Sequence, residues 1–201
     1  MPLLGTVLLG AFLVIVFPLR SLRLRRRHRL PVGRMRSRRR RPRTWVAADI
    51  LFVLGFGSLL TGAVAEAAGA LPVLAEPAAW AHVLGVASVV ASTVLAVWAQ
   101  EVMDTAWVAD IAPREESHRL ITAGPFQFAR NPNYVAMLGA GGGLVVLALN
   151  AITVLGWLVL LVSLLLTARA EEFVLREHFG LAYEAYAART GRFIPGVGRL
   201  P

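Results

Sequence analysis

The feature that most constrains this chain is a run of 35 residues, 134–168, that is apolar almost throughout and interrupted only by Asn150. At about 1.5 Å per residue, one straight helix of that length would measure roughly 52 Å. The hydrocarbon core of a bilayer is about 30 Å thick, and about 20 apolar residues cross it as a helix. The run is too long for one crossing and suits two, so it predicts a helical hairpin turning near Asn150. The composition agrees: 57% of the 201 residues are hydrophobic, more than a soluble domain of this size carries.

Three further stretches have the length and character of spans: residues 2–19, 45–65 and 78–100. The first lacks the charged start of a secretory signal and runs into a dense positive block, so it reads as a membrane helix. The expected fold class is therefore all-α: a polytopic membrane protein of about five transmembrane helices, with spans four and five as a hairpin. Leu175, Phe179, Ala182, Tyr183 and Tyr186 then recur at helical spacing. They predict a C-terminal amphipathic helix of about four turns on the membrane surface, weakened at Gly180.

All 21 basic residues are Arg, and 13 of them lie in residues 20–43 without a single acid. The remainder of the chain holds 8 Arg against 12 acids, so the net charge of +9 belongs to one loop. That loop lies between two spans and lacks interleaved aromatics for base stacking, which argues against nucleic acid. It reads as a positive-inside anchor that touches anionic lipid. Five spans put every Arg on one side, which predicts an outer amino terminus and a cytosolic carboxyl terminus in a cell or inner membrane. The chain has no Cys, which excludes disulfides and thiolate metal sites, and no metal centre is expected. Gly139, Gly141, Gly142 and Gly143 sit inside span four without a following Gly-Lys-Ser/Thr, so they read as helix-packing positions, not a phosphate loop.

Two polar features remain. Residues 118–134 form a polar stretch before span four, ending in Asn131 as N-cap and Pro132 at the first helical position. The exposed N–H groups of that helix start, with Arg130 and His118 beside them, suit a small anion; an ordinary capped helix fits them as well. Glu171 and Glu172 lie at the inner end of span five, where carboxylates are costly unless paired, solvated or bound to a cation. Adjacent residues diverge by about 100° around a helix, so one can pair with Arg169 or Arg130 while the other faces a ligand. The hairpin brings both features to the same membrane face. A positive seat beside a carboxylate pair suits a zwitterion such as S-adenosylmethionine. His118, Phe126, Phe128 and Tyr134 could hold its adenine, and aromatic faces favour a sulfonium.

The strings Leu120-Ile-Thr-Ala-Gly-Pro-Phe126, Arg130-Asn-Pro-Asn-Tyr134, Arg169-Ala-Glu-Glu172 and His178-Phe-Gly-Leu-Ala-Tyr-Glu-Ala-Tyr186, followed by Arg192-Phe-Ile-Pro195, resemble the integral-membrane isoprenylcysteine carboxyl methyltransferase family and its bacterial relatives. The likeness covers roughly residues 78–198. It implies a membrane-embedded methyltransferase that uses S-adenosylmethionine on a lipophilic acceptor: a carboxylate, amine, thiol or hydroxyl on an isoprenoid or lipid. By position it implies a cofactor site of His118, Arg119, Leu120, Ile121, Phe126, Asn131, Pro132, Tyr134 and Glu171, with Arg130 beside them. Glu172 and Arg169 are the residues expected at the reaction. The chain then divides into an amino-terminal helix with its Arg-rich loop (1–44), a second span with its outer loop (45–77) and a methyltransferase core (78–201). Where the family usually carries His before the Pro, this chain carries Asn131, which can donate a hydrogen bond but cannot act as a base near neutral pH. Two other functions fit the same features: an NADPH-dependent membrane reductase of the steroid and sterol type, and a non-catalytic adaptor using the Arg block.

Overall fold

A computed structural model describes residues 1–27, 43–104 and 119–199, apart from the side chain of residue 25. The elements are α1 (Pro2–Val14), a π-helical stretch (Ile15–Leu19), α2 (Arg20–Arg27), α3 (Arg43–Ala67), α4 (Ala79–Met103), a 3-10 turn (Gly124–Gln127), α5 (Pro132–Leu147), α6 (Ala151–Phe179) and α7 (Leu181–Arg189). The described residues are all-helical, and among them four helices are long and apolar enough to cross a membrane, the first running Pro2–Leu24. The fifth, α5, has 16 residues, about 24 Å of helix against a core of about 30 Å. It sits inside the bundle, with Ala136, Ala140 and Leu144 fully buried.

The first span does not stop at Leu19 as its sequence suggested. Pro18 has no N–H to give to the turn before it, and the helix widens there instead of ending. The carbonyl of Val16 is served by Gln100 of α4, whose Nε2 donates to it at 3.1 Å. The helix then continues into the Arg block, where buried Arg20 pairs with Glu101. Residues 28–42, the rest of the proposed lipid-touching loop, lie outside the described residues.

The most closely packed pairs, α3 with α6 and α4 with α5, run antiparallel, and glycines set how closely they approach. A Cβ on Gly143 would come within 2.6 Å of the Gly85 carbonyl of α4, and one on Gly156 within 2.8 Å of Ser58 of α3. Ser88 donates to the Gly139 carbonyl at 2.8 Å, and Ser163 to that of Ala48 at 2.8 Å. The glycines of α5 are thus packing positions, as small residues in membrane bundles commonly are.

The hairpin turns where expected. Asn150 caps α6, its Oδ1 accepting from the N–H of Thr153 at 3.0 Å, and Leu74 of the preceding loop donates to the Leu149 carbonyl at 2.8 Å. The alternation of helix direction gathers the described Arg residues at the opposite end of the bundle. The C-terminal amphipathic segment differs from its prediction. Gly180 takes a φ of 51°, which splits the run into the end of α6 and the nine-residue α7. Its aromatic face turns inward: Tyr183 and Tyr186 are buried with Leu120, Leu175 and Phe179 packed on them.

Candidate functional site

The site begins with how the loop before α5 is held. The 3-10 turn follows Gly124, whose φ of 60° suits a residue without Cβ. It buries Phe126, and the Tyr186 hydroxyl donates to the Phe126 carbonyl at 2.6 Å. Residues 129–131 then pair like a short strand with the chain after α7. The Arg130 N–H donates to the Gly191 carbonyl at 2.8 Å and the Asn131 N–H to that of Arg192 at 3.1 Å. Only glycine fits at 191, because a Cβ there would stand 2.0 Å from the Ile194 carbonyl. The segment 191–198 folds back as a strap, with Arg192 N–H donating to the Val197 carbonyl at 2.9 Å.

Beneath the strap lies a buried ion cluster. Arg130 donates through Nε and Nη2 to Glu172 Oε1 at 3.2 and 2.7 Å. Its Nη1 donates to the carbonyls of Ala187, at 3.1 Å, and Thr190, and its Nη2 also to Gly198 at 3.0 Å. These bonds use all five N–H groups of the guanidinium. Arg192 grips the same carboxylate from the other side, through Nε to Oε1 at 2.9 Å and Nη2 to Oε2 at 2.7 Å. The hydrogen bond and charge of Glu172 hold the Arg192 guanidinium above its usual range. One carboxylate thus ties together α6, the loop before α5 and the C-terminal strap.

This geometry corrects three expectations. Arg130 is not an open seat for an anion, since each of its donors is committed within the protein. Asn131 occupies the N-cap position, but its side chain does not cap; its Nδ2 donates instead to the Arg192 carbonyl at 3.3 Å. Glu172, expected at the reaction, is held between two guanidiniums. Of the two partners the sequence offered the carboxylate pair, Arg130 takes Glu172 and Arg169 is exposed.

Beside the cluster is a cavity of about 380 Å³. Of the residues singled out in the sequence, Arg119, Leu120, Ile121, Phe126, Arg130, Asn131 and Glu172 line it. Pro132, Tyr134, Glu171 and Arg169 do not. Tyr134 and Glu171 form a pair of their own, the Tyr134 hydroxyl donating to Glu171 Oε1 at 2.7 Å, with Phe193 edge-on to the Tyr134 ring at 6.5 Å. His118 lies outside the described residues. The rest of the wall is Met103, Val174, Leu175, His178, Phe179, Tyr183 and Tyr186. Sequence reasoning passed over Leu175, Phe179, Tyr183 and Tyr186 as site residues because their helical spacing read as a membrane-facing stripe, and it did not single out Met103, Val174 or His178 in its reading of the site. The one available signal was that this stripe carries two tyrosines, whose hydroxyls seek partners when buried.

Those two tyrosines differ. Burial raises the pKa of both, with the nearby Tyr183 adding to the effect at Tyr186. At Tyr183 burial and the Glu172 charge push it up to about 12. The Tyr186 hydroxyl is spent on Phe126, whereas the Tyr183 hydroxyl is buried and has no hydrogen-bond partner. The cavity therefore offers an apolar wall for a flat ring, an exposed cation at Arg119 and one unsatisfied phenol.

Comparison with known proteins gives one family. The model of that family, described as phospholipid methyltransferase, matches residues 80–182. No curated protein matches the chain.

Proposed function

The chain belongs to the phospholipid methyltransferase family, a membrane methyltransferase, and from that premise we propose that it moves a methyl group from S-adenosylmethionine to a lipophilic acceptor at the Arg-rich face of the membrane. The observation that carries this reading is the cavity. Most of its wall comes from the matched segment, and its volume of about 380 Å³ lies in the usual range for small-ligand sites, about 300–1,000 Å³. The unpartnered Tyr183 hydroxyl in that wall fits a ligand with polar groups. When bound, S-adenosylmethionine supplies a methyl made electrophilic by its sulfonium.

The chain's own part is to align the partners and exclude water. Leu120, Ile121 and Phe126 take the flat face of the adenosyl group; Arg119 and Asn131 take its polar edges; His118 and Pro132 belong to the same loop. Arg130 and Glu172 act behind the wall: their ion pair fixes the loop against α6. The Tyr134–Glu171 pair fixes the start of α5 in the same way, and Arg169 belongs to the lipid headgroup layer. With Glu172 tied to two guanidiniums and Asn131 unable to take a proton, the site favours an acceptor that reacts without surrendering a proton in the step. A carboxylate on an isoprenoid or lipid is such a group, ahead of an amine, thiol or hydroxyl. The Arg-rich end is assigned to the cytosol on the positive-inside rule.

Calorimetry on the detergent-purified protein tests the reading with two ligands. Binding of S-adenosylhomocysteine without NADPH supports it. Binding of NADPH alone would make the protein a membrane reductase, and binding of neither would make it a non-catalytic adaptor. Orientation is read separately: the chain has no Cys, so single cysteines placed at Ala70 and Ala188 report which end an impermeant thiol reagent reaches in intact cells.

A further inference from the structure

Tyr183 is 1% exposed, and its hydroxyl is left unpartnered by the protein. Burying a hydroxyl without a hydrogen bond is unfavourable, so an orphan in a cavity wall calls for an explanation. Arg130 lies near enough to the phenol oxygen to pull its pKa down, but it offers the hydroxyl's proton no acceptor. All five N–H groups of Arg130 are engaged, and a guanidinium has no lone pair to accept the phenol's proton. The Glu172 carboxylate is gripped by Arg130 and Arg192 on both oxygens. Tyr186 stands 6.2 Å away, ring edge to ring face, and its own hydroxyl is committed to Phe126.

Of the charges near the phenol the Glu172 carboxylate acts most strongly, raising its pKa, but cations outnumber it. The ion cluster sets two guanidiniums against one carboxylate, and Arg119 brings a third cation to the wall. The neighbouring carboxylate of Glu171 is engaged by Tyr134. We propose that Tyr183 is a ligand-binding residue of this cavity, and that its hydroxyl donates to the carboxylate at the amino-acid end of the S-adenosyl ligand. This rests on the methyl-transfer reading above. With its pKa raised to about 12, the phenol keeps its proton at physiological pH and is a donor throughout.

The test uses S-adenosylhomocysteine and 5′-methylthioadenosine, which keeps the nucleoside and lacks the amino-acid end. Affinities of both, and the thermal midpoint without ligand, are measured on the full detergent-purified chain as wild type, Tyr183→Phe and Tyr186→Phe. Tyr183→Phe should bind S-adenosylhomocysteine about tenfold more weakly and leave 5′-methylthioadenosine affinity unchanged. Its ligand-free midpoint should hold or rise, because the deleted hydroxyl has no partner in the protein. Tyr186→Phe, which loses an internal bond, should lower the ligand-free midpoint. Equal losses for both ligands, no loss for either, or a ligand-free drop in Tyr183→Phe matching that of Tyr186→Phe would overturn the proposal. A wild type that fails to bind S-adenosylhomocysteine removes the methyl-transfer reading as well; a wild type that binds, with Tyr183→Phe unchanged, removes this proposal alone.

Discussion

At the start of α6, Asn150 and Thr153 cap each other, and the Asn150 amide crosses to α3, donating to the Gly62 carbonyl at 3.1 Å and to Glu66 at 2.8 Å. At the other end of the same helix, Glu172 gathers Arg130 and Arg192 from segments 42 and 20 residues away. Both are buried polar knots in an apolar bundle. The first is closed: the Asn150 amide and the Thr153 hydroxyl have their partners, and Thr153 also gives its hydroxyl proton to the Ala148 carbonyl at 2.6 Å. The second is closed at its centre but leaves the Tyr183 hydroxyl open at its edge, beside a cavity. The first knot is satisfied within the protein; the second leaves one donor unpaired beside a void.

The largest expected effect comes from breaking the second knot. Glu172→Gln leaves Arg130, whose side chain is 2% exposed, without its counter-charge, and removing one partner of a buried pair costs about 3–5 kcal/mol. The thermal midpoint in detergent should fall steeply and ligand binding should be lost with it. A variant as stable as the wild type would mean that the clamp does not hold the strap. Gly191→Ala comes next. Its Cβ would meet the Ile194 carbonyl at 2.0 Å, so the strap must shift, at about 1–3 kcal/mol for overpacking. Limited proteolysis should then cut the C-terminal segment faster while the spans stay protected. Asn150→Ala is the smallest of the three. Losing the cap costs about 1–2 kcal/mol, and S-adenosylhomocysteine affinity should not move, because the turn lies at the end of the bundle away from the cavity. A loss of affinity there would erase the distinction between the two ends.

Much of the architecture was legible from the chain alone. Lipid tolerates few polar interruptions, so each apolar run announces a helix, and Asn150 could only mark a turn. That one of the two glutamates would pair with Arg130 or Arg169 was legible too, since unlike charges near one membrane face seek each other; which pair forms was not. What misled was local reasoning carried past its range. Asn131 and Pro132 read as an anion seat because the strap that occupies Asn131 lies 61 residues away. Leu175, Phe179, Tyr183 and Tyr186 read as a lipid-facing stripe because helical periodicity reports that one face is apolar, not what covers it. Residues 2–19 read as the whole first span because Arg20 opens a charged run, while the Gln100 side chain that serves the turn around Pro18 comes from another span.

By itself, then, the sequence determined that this is an all-helical membrane protein, how its helices alternate, and that its Arg residues gather at one end. Those follow from the cost of leaving backbone or charge in lipid, which each segment meets alone. Only the tertiary structure decided which guanidiniums are consumed by Glu172, which tyrosine is left with a free hydroxyl, and where a void remains between them. Those depend on distances between residues far apart in the chain, and no local pattern encodes a distance.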